Sequence, residues 1–212
     1  MLERFKITGS STRLGLLCRE GSGWDAGVGG DKNESVLYRL DQGLRVVLSK
    51  YGTDIKLVVL ASGTNNLHPK HGFKAKDLES WSALLHECLA LASNAEVLVC
   101  DVFHRTDILD SVIEAANVQL KAVVNGLDAR DRARVVWVEA RHLIAKNMLV
   151  DHVHLNEEGY VVWDKVLWPF VQGVLEGVRG RRKQTVTVQE REKVVGTTRD
   201  RRDETEWPVL ES

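Results

Sequence analysis

Three short, mostly apolar runs separated by helical patterns constrain the fold of this chain more than any other feature. The runs are 55–61 (IKLVVLA), 97–102 (VLVCDV) and 135–138 (VVWV). Runs of this length are typical of parallel strands that are buried on both faces. Strands that alternate with helices form βαβ units, so the pattern predicts a parallel sheet with helices packed on both faces.

Helical patterns fill the segments between and after these runs. Apolar residues recur at helical spacing over about 36–48, 78–89, 108–127 and 161–175. The opening segment Met1–Phe5 is predicted to be helical, and Trp24–Val28 is predicted to form a further short strand.

Length and charge predict one domain with a tail. A chain of 212 residues suits a single domain, which we place at 1–178. From 179 to 212 the chain has mixed charge without periodicity, which favours a disordered extension. The net charge of −1 gives no reason to expect nucleic acid or an anionic membrane as partner. No apolar run is long enough to span a bilayer, and the N-terminus lacks the apolar core of a signal peptide.

The three cysteines, Cys18, Cys88 and Cys100, are odd in number and form no CxxC pair. Neither a zinc site nor a disulfide framework is therefore expected. Reduced thiols and a cytoplasmic location are the simplest interpretation.

Polar motifs follow the predicted strands at three places. These are 27–30 (GVGG), 63–66 (GTNN) and 151–154 (DHVH). Ligands of open α/β sheets bind outside the carboxyl ends of the strands, so one edge of the sheet would collect all three motifs. A dinucleotide fingerprint is not present, because Lys32 occupies the place of its third glycine.

Each motif also has a simpler interpretation. The glycines and the Gly-Thr-Asn-Asn segment are common turn chemistry, and Asp151 is a plausible helix cap. His152 and His154 form an H-x-H pair that could bind a metal, but no second carboxylate–histidine cluster lies at a suitable distance.

Taken together, the motifs resemble the SGNH or GDSL esterase superfamily, and most closely the branch that includes the alpha subunits of intracellular platelet-activating factor acetylhydrolase. The likeness lies in 27–40 (GVGGDKNESVLYRL), 59–66 (VLASGTNN) and 151–160 (DHVHLNEEGY), and it covers residues 1 to about 178. It implies a three-layer αβα, flavodoxin-like parallel sheet with strand order 2-1-3-4-5. It also implies hydrolysis of a small-molecule ester without metal or organic cofactor, and possible homodimers.

The resemblance assigns roles to four residues. His154 resembles the general base of the family, and Asp151 resembles the carboxylate that orients it. Gly30 resembles the oxyanion-hole glycine that donates its backbone N–H, and Asn65 resembles the asparagine that donates its side-chain amide.

The nucleophile of the family lies in a Gly-Asp-Ser motif after the first strand, and no Gly-Asp-Ser occurs in this chain. Ser10, Ser11 and Ser22 follow no predicted strand. The first strand is central in the predicted order, so its absence would leave unpaired backbone groups beside its neighbours. We therefore expect an N-terminally truncated esterase that lacks its first, central strand and its serine and is inactive as written.

Three functions follow from these expectations. The first is a serine ester hydrolase for short-acyl or small esters, active with the missing serine restored. The second is a catalytically inactive binding protein of the same fold. The third and weakest is a metal-dependent hydrolase that uses His152 and His154.

Overall fold

The computed structural model describes residues 12–176. The helix predicted at Met1–Phe5 and the tail predicted from 179 onward lie outside these residues. The domain boundary near 178 therefore stays a prediction.

A parallel sheet of three strands forms the centre of the described domain. Its strands are β1 (Leu57–Leu60), β2 (Glu96–Cys100) and β3 (Val135–Val138), paired in the order β1-β2-β3. Leu57 is in register with Glu96, and Val97 with Val135. The three predicted strands and the α/β class are confirmed; β1 and β2 are three and one residues shorter than their apolar runs, and β3 matches its run.

Seven α-helices surround this sheet within the described residues. They are α1 (Arg13–Arg19), α2 (Asn33–Arg39), α3 (Arg45–Ser49), α4 (Ala75–Leu91), α5 (Asp110–Asn125), α6 (Ala129–Arg132) and α7 (Glu157–Leu175). A π turn at Leu40–Leu44 separates α2 from α3, because Gly43 takes a φ of 118° that an α-helix cannot accommodate. The single helix predicted over 36–48 is therefore two short helices. Two 3₁₀ turns, Arg141–Leu143 and Lys146–Met148, lie between β3 and α7.

The central strand β2 is buried on both faces, as its apolar run predicts. Val99 of β2 belongs to one apolar cluster with Leu85 of α4 and Ile113 of α5. The next residue along β2, Cys100, points to the opposite face, where Trp163 of α7 contacts its thiol. The side chains of Leu85, Val99, Cys100 and Ile113 are each at most 1% exposed. Burial of each large apolar side chain contributes about 1.5–3 kcal/mol to stability. The layers are helix, sheet and helix.

The strand predicted at Trp24–Val28 does not form. The segment has no regular structure, and Trp24 and Val28 are 61% and 40% exposed. A strand requires a neighbour whose backbone groups it can pair with, and no described strand lies beside this segment. The motif at 27–30 therefore follows an irregular loop, which corrects the prediction that it follows a strand.

One edge of β1 is open within residues 12–176. The N–H of Glu96 donates to the carbonyl of Lys56 across 3.1 Å, which places alternate peptide groups of β1 toward β2. Leu57 and Val59 therefore direct their N–H and C=O groups to the other side, where no described strand pairs with them. Val59 is 39% exposed. The described sheet thus has three strands, where the resemblance predicts five.

No helix in the described part of the chain is long and apolar enough to cross a membrane. Cys18, Cys88 and Cys100 are free thiols.

Candidate active site

Asp151 and His154 form a hydrogen-bonded pair in the loop between β3 and α7. The Nδ1 atom of His154 lies 2.9 Å from Oδ2 of Asp151. The other carboxylate oxygen accepts backbone N–H groups of Val153 (3.0 Å) and His154 (2.8 Å). One carboxylate thus closes the loop and orients the imidazole. Because a carboxylate only accepts, Nδ1 carries the proton and Nε2 is the basic nitrogen.

Neighbouring contacts hold this loop in place. Asn156 caps α7 by accepting the N–H of Gly159 at 2.9 Å, which fixes the start of the helix at Glu157, three residues after His154. The carbonyl of His152 accepts the N–H of Thr106 at 3.0 Å, which ties the loop to the segment that follows β2.

Gly30 lies in a tight turn with a φ of 80°, a backbone conformation that favours glycine. No described atom lies within 4 Å of the position that a Cβ would occupy there. Its N–H makes no hydrogen bond within residues 12–176, whereas the N–H of Asp31 donates to Val28 at 3.2 Å. The backbone of Gly30 is therefore open to a ligand.

Asn65 lies in the turn that follows β1. This turn requires Gly63, which has a φ of 114° and whose Cβ would lie 3.1 Å from the ring of Phe73. The amide of Asn65 donates one hydrogen to the carbonyl of Asp31 at 2.8 Å. Its second hydrogen has no acceptor among the described residues, so it remains available to a bound oxygen.

A buried polar network lies beneath these two loops. Oδ1 of Asn66 accepts the N–H of Asn33 at 3.0 Å, and its amide donates to Oδ1 of Asp77 at 3.2 Å and to Oε2 of Glu34 at 2.9 Å. Asn33, Asn66 and Asp77 are all buried. The network connects the loop of Asn65 to the first turn of α2, and the sequence does not reveal it because its members lie on three separate segments.

Gly30, Asn65 and His154 line one cavity of about 100 Å³, and Asp151 is bonded to His154. The structure thus brings the four predicted residues together at the carboxyl edge of the sheet. Most of the remaining wall is apolar and is formed by Ala61, Val102, Phe103, Val153, Leu155 and Trp163.

Asp101 is a buried carboxylate on the same wall. Its two oxygens accept the backbone N–H groups of Ala140 and Arg141, each at 3.0 Å. Burial raises the pKa of Asp101 to about 6, despite these two hydrogen bonds, which act in the opposite direction.

The cavity wall holds two aliphatic hydroxyls, on Ser62 and Thr64. The hydroxyl of Ser62 donates to Oδ1 of Asn33 at 2.7 Å, which commits its hydrogen to the buried network. Ser22 is exposed after α1, while Ser10 and Ser11 lie outside the described residues. The thiol of Cys100 is fully buried and its pKa is raised by that burial, so it is not a nucleophile.

A second imidazole–carboxylate pair also borders the cavity. His104 lines the wall, and its Nδ1 lies 2.9 Å from Oδ1 of Asp110. Asp110 also pairs with Lys146 at 3.0 Å. The sequence offers only a weak signal for this pair, namely a histidine shortly after a strand end and an aspartate six residues later.

The H-x-H pair does not form a metal site in the described residues. There, no group of three or more His, Cys, Asp or Glu side chains is arranged to hold a metal ion. His154 pairs with Asp151, whereas His152 lies close enough to Asp107 to lower the pKa of that carboxyl, after the larger effect of Arg105.

Comparison with solved structures places this fold among esterases and lipases. The chain is similar to a GDSL-like lipase from Bacteroides thetaiotaomicron, with a TM-score of 0.56 and 17% identity over 81% of this chain and 84% of that one. It is also similar to a family 3 carbohydrate esterase from Talaromyces cellulolyticus, with a TM-score of 0.53 and 20% identity over 69% of this chain and 70% of that one. A third similar structure is the family 3 carbohydrate esterase of Clostridium thermocellum, with a TM-score of 0.51 and 17% identity over 71% of this chain and 70% of that one.

At these identities the likeness establishes the fold, and the fold predicted from the SGNH resemblance is confirmed. No family model matches the sequence, and comparison with characterised proteins by sequence finds no match.

Proposed function

We propose that this protein is a serine-type ester hydrolase in which His154 is the general base and Asp151 orients it. The observation that carries the proposal is the 2.9 Å pairing of His154 Nδ1 with Asp151, beside the open donors of Gly30 and Asn65 in one cavity. A base with an orienting carboxylate and two convergent N–H donors are the parts that acyl transfer requires.

Each residue has one task in the proposed reaction. Nε2 of His154 takes the proton of a serine hydroxyl as the oxygen attacks the ester carbonyl. The N–H of Gly30 and the amide of Asn65 stabilise the resulting oxyanion. His154 then protonates the departing alcohol, and water attacks the acyl-enzyme to release the acid and regenerate the serine.

The serine itself would come from a strand that pairs with the open edge of β1. Leu57 and Val59 direct peptide groups toward that edge, and a strand beside it would end next to Ser62 and the cavity. A Gly-Asp-Ser turn at that end is the arrangement that the family resemblance implies. Small or short-acyl esters are the substrates that the same resemblance implies.

A second candidate is a binding protein of the same fold without catalysis. It is favoured by the hydroxyl of Ser62 on the cavity wall, which donates to Asn33 at 2.7 Å and so commits its hydrogen to the buried network. Such a protein binds small esters and does not turn them over.

Fluorophosphonate labelling and p-nitrophenyl acetate hydrolysis distinguish the two candidates. We compare the chain as written with a protein in which a strand ending in Gly-Asp-Ser precedes it. The hydrolase proposal expects labelling at the added serine and turnover that His154→Ala abolishes. Turnover that survives His154→Ala excludes the assigned base, and an added strand that folds without labelling favours the binding protein.

A further inference from the structure

His104 is a second histidine on the cavity wall, separate in sequence from the Asp151–His154 pair. It lies in the segment between β2 and α5, and its side chain is 17% exposed. Its Nδ1 atom is taken by Asp110. The imidazole atom left for a ligand in the cavity is therefore Nε2, for which no described residue provides a hydrogen-bond partner.

Asp110 fixes the tautomer of this ring. Hydrogen bonds from His104 and then Lys146 lower the pKa of the Asp110 carboxyl, and its place in the first turn of α5 also favours the charged form. A charged carboxylate accepts a hydrogen bond, so Nδ1 of the neutral ring carries the hydrogen. Nε2 then keeps a lone pair on a ring that lines the cavity.

The surroundings make this lone pair selective. The other residues that line the cavity include Phe103, Val153 and Trp163, which offer an apolar surface to a ligand. The reacting end of the cavity presents the N–H donors of Gly30 and Asn65, which suit a carbonyl oxygen. A hydrogen-bond acceptor on an apolar wall stabilises a bound ligand that carries an O–H group. A ligand without a donor gains no such hydrogen bond and binds less tightly.

We propose that His104 selects ester substrates that carry a hydroxyl in their alcohol part, by accepting that hydroxyl's hydrogen at Nε2. The alcohol part is the relevant one because an unsubstituted short acyl group, such as acetyl, has no hydrogen-bond donor. The inference rests on the proposed function, since it takes the cavity to be the ester site. It assigns His104 to specificity and leaves proton transfer to His154.

Binding of two matched esters to the chain tests this role without any turnover. 2-Hydroxyethyl acetate and propyl acetate differ only by a terminal hydroxyl in place of a methyl group. Dissociation constants come from NMR shifts of the Gly30 and Asn65 amides, and the observable is the ratio of the propyl value to the hydroxyethyl value. His104→Phe keeps a planar ring without the acceptor, and His86→Phe, at an exposed histidine of α4, is the matched control.

We expect His104→Phe to lower this ratio about 2- to 10-fold, the range of one neutral hydrogen bond, and His86→Phe to leave it unchanged. Asp110→Ala also lowers the ratio, and nitrogen spectra of His104 then show loss of the Nδ1–H tautomer. A merely structural role changes both dissociation constants equally, so an unchanged ratio in His104→Phe overturns the proposal.

The two proposals fail in different ways. In one outcome, the ratio of dissociation constants depends on His104 but the protein hydrolyses no ester. This outcome supports the role of His104 and contradicts the hydrolase proposal. In the other outcome, the protein hydrolyses esters but the ratio does not depend on His104. This outcome supports the hydrolase proposal and contradicts the role of His104. If neither ester shifts the Gly30 and Asn65 amides, the cavity is not an ester site and this inference is wrong.

Discussion

The side-chain amide of Asn65 donates a 2.8 Å hydrogen bond to the carbonyl of Asp31, the residue that follows Gly30. One asparagine thus offers a donor to the cavity and fixes the loop that carries the other donor. The two predicted oxyanion donors are therefore a coupled unit, and a change at one is expected to disturb both.

This coupling predicts a large effect of Asn65→Ala on catalysis. In the protein that carries the Gly-Asp-Ser strand, we expect kcat for p-nitrophenyl acetate to fall at least about 10²- to 10³-fold, the usual cost of one oxyanion donor. KM should change little, because the donor acts on the transition state. Asn125→Ala at the exposed end of α5 is the matched control, and a fall below 5-fold in Asn65→Ala would contradict the oxyanion role.

Asp151→Asn tests the orientation of the base. The remaining amide oxygen can still accept the N–H groups of Val153 and His154, so the loop should keep its shape. The imidazole loses the carboxylate that fixes its tautomer, and we expect kcat to fall by about 10²- to 10⁴-fold. Circular dichroism and steady-state rates measure the two effects. A variant that unfolds, or one that retains full activity, is inconsistent with this assignment.

Asn66→Ala tests the buried network. It leaves the N–H of Asn33 and a carboxylate oxygen of Asp77 without their partner. Buried groups that lose a partner cost about 1–3 kcal/mol each, so we expect the free energy of unfolding to drop by about 2–4 kcal/mol. Urea denaturation gives this value. The free energy of unfolding of the exposed control Asn125→Ala should stay within about 0.5 kcal/mol of the parent. An equally small change in Asn66→Ala would show that the network does not stabilise the fold.

The raised pKa of Asp101 predicts that the stability of the protein depends on pH. Its pKa is raised to about 6 in the folded protein, against about 3.9 in an unfolded chain. Between these values the folded state binds more protons, so this group's contribution to stability is fully present below about pH 4 and is lost as the pH rises through about 6. The loss is about 2–3 kcal/mol at about 1.4 kcal/mol per pKa unit.

Denaturation curves of the parent and Asp101→Asn between pH 4 and pH 7 measure this contribution. We expect the stability difference, parent minus variant, to decrease as the pH rises through about 6 and to level off near about pH 7. The exposed Asp54→Asn is the matched control. A difference that stays constant over this interval would mean that Asp101 titrates alike in both states.

The sequence predicts those parts of the molecule that depend on local pattern. The strands around Val58, Val99 and Trp137 follow from continuous apolar runs, and Asp151 can reach His154 because the two residues share one short loop. By contrast, the strand predicted at Trp24–Val28 is wrong because strand formation depends on a neighbour, which no local pattern supplies.

The contacts of Asn33 and His104 could not be predicted from the sequence for a related reason. Asn33 bonds with Asn66, 33 positions away, and such a pairing is created only when α2 packs beside the turn after β1. His104 reaches the cavity because β2 ends there, and nothing in its neighbouring residues distinguishes it from a surface histidine.

The open edge of β1 has a further consequence for the protein in concentrated solution. The peptide groups of Leu57 and Val59, with which no strand in residues 12–176 pairs, form a short template on which a strand of another molecule can add, and edges of this kind promote aggregation. The nearly neutral net charge of −1 provides little repulsion between molecules. Colloidal behaviour of the described domain should therefore depend on whether these few backbone groups are covered.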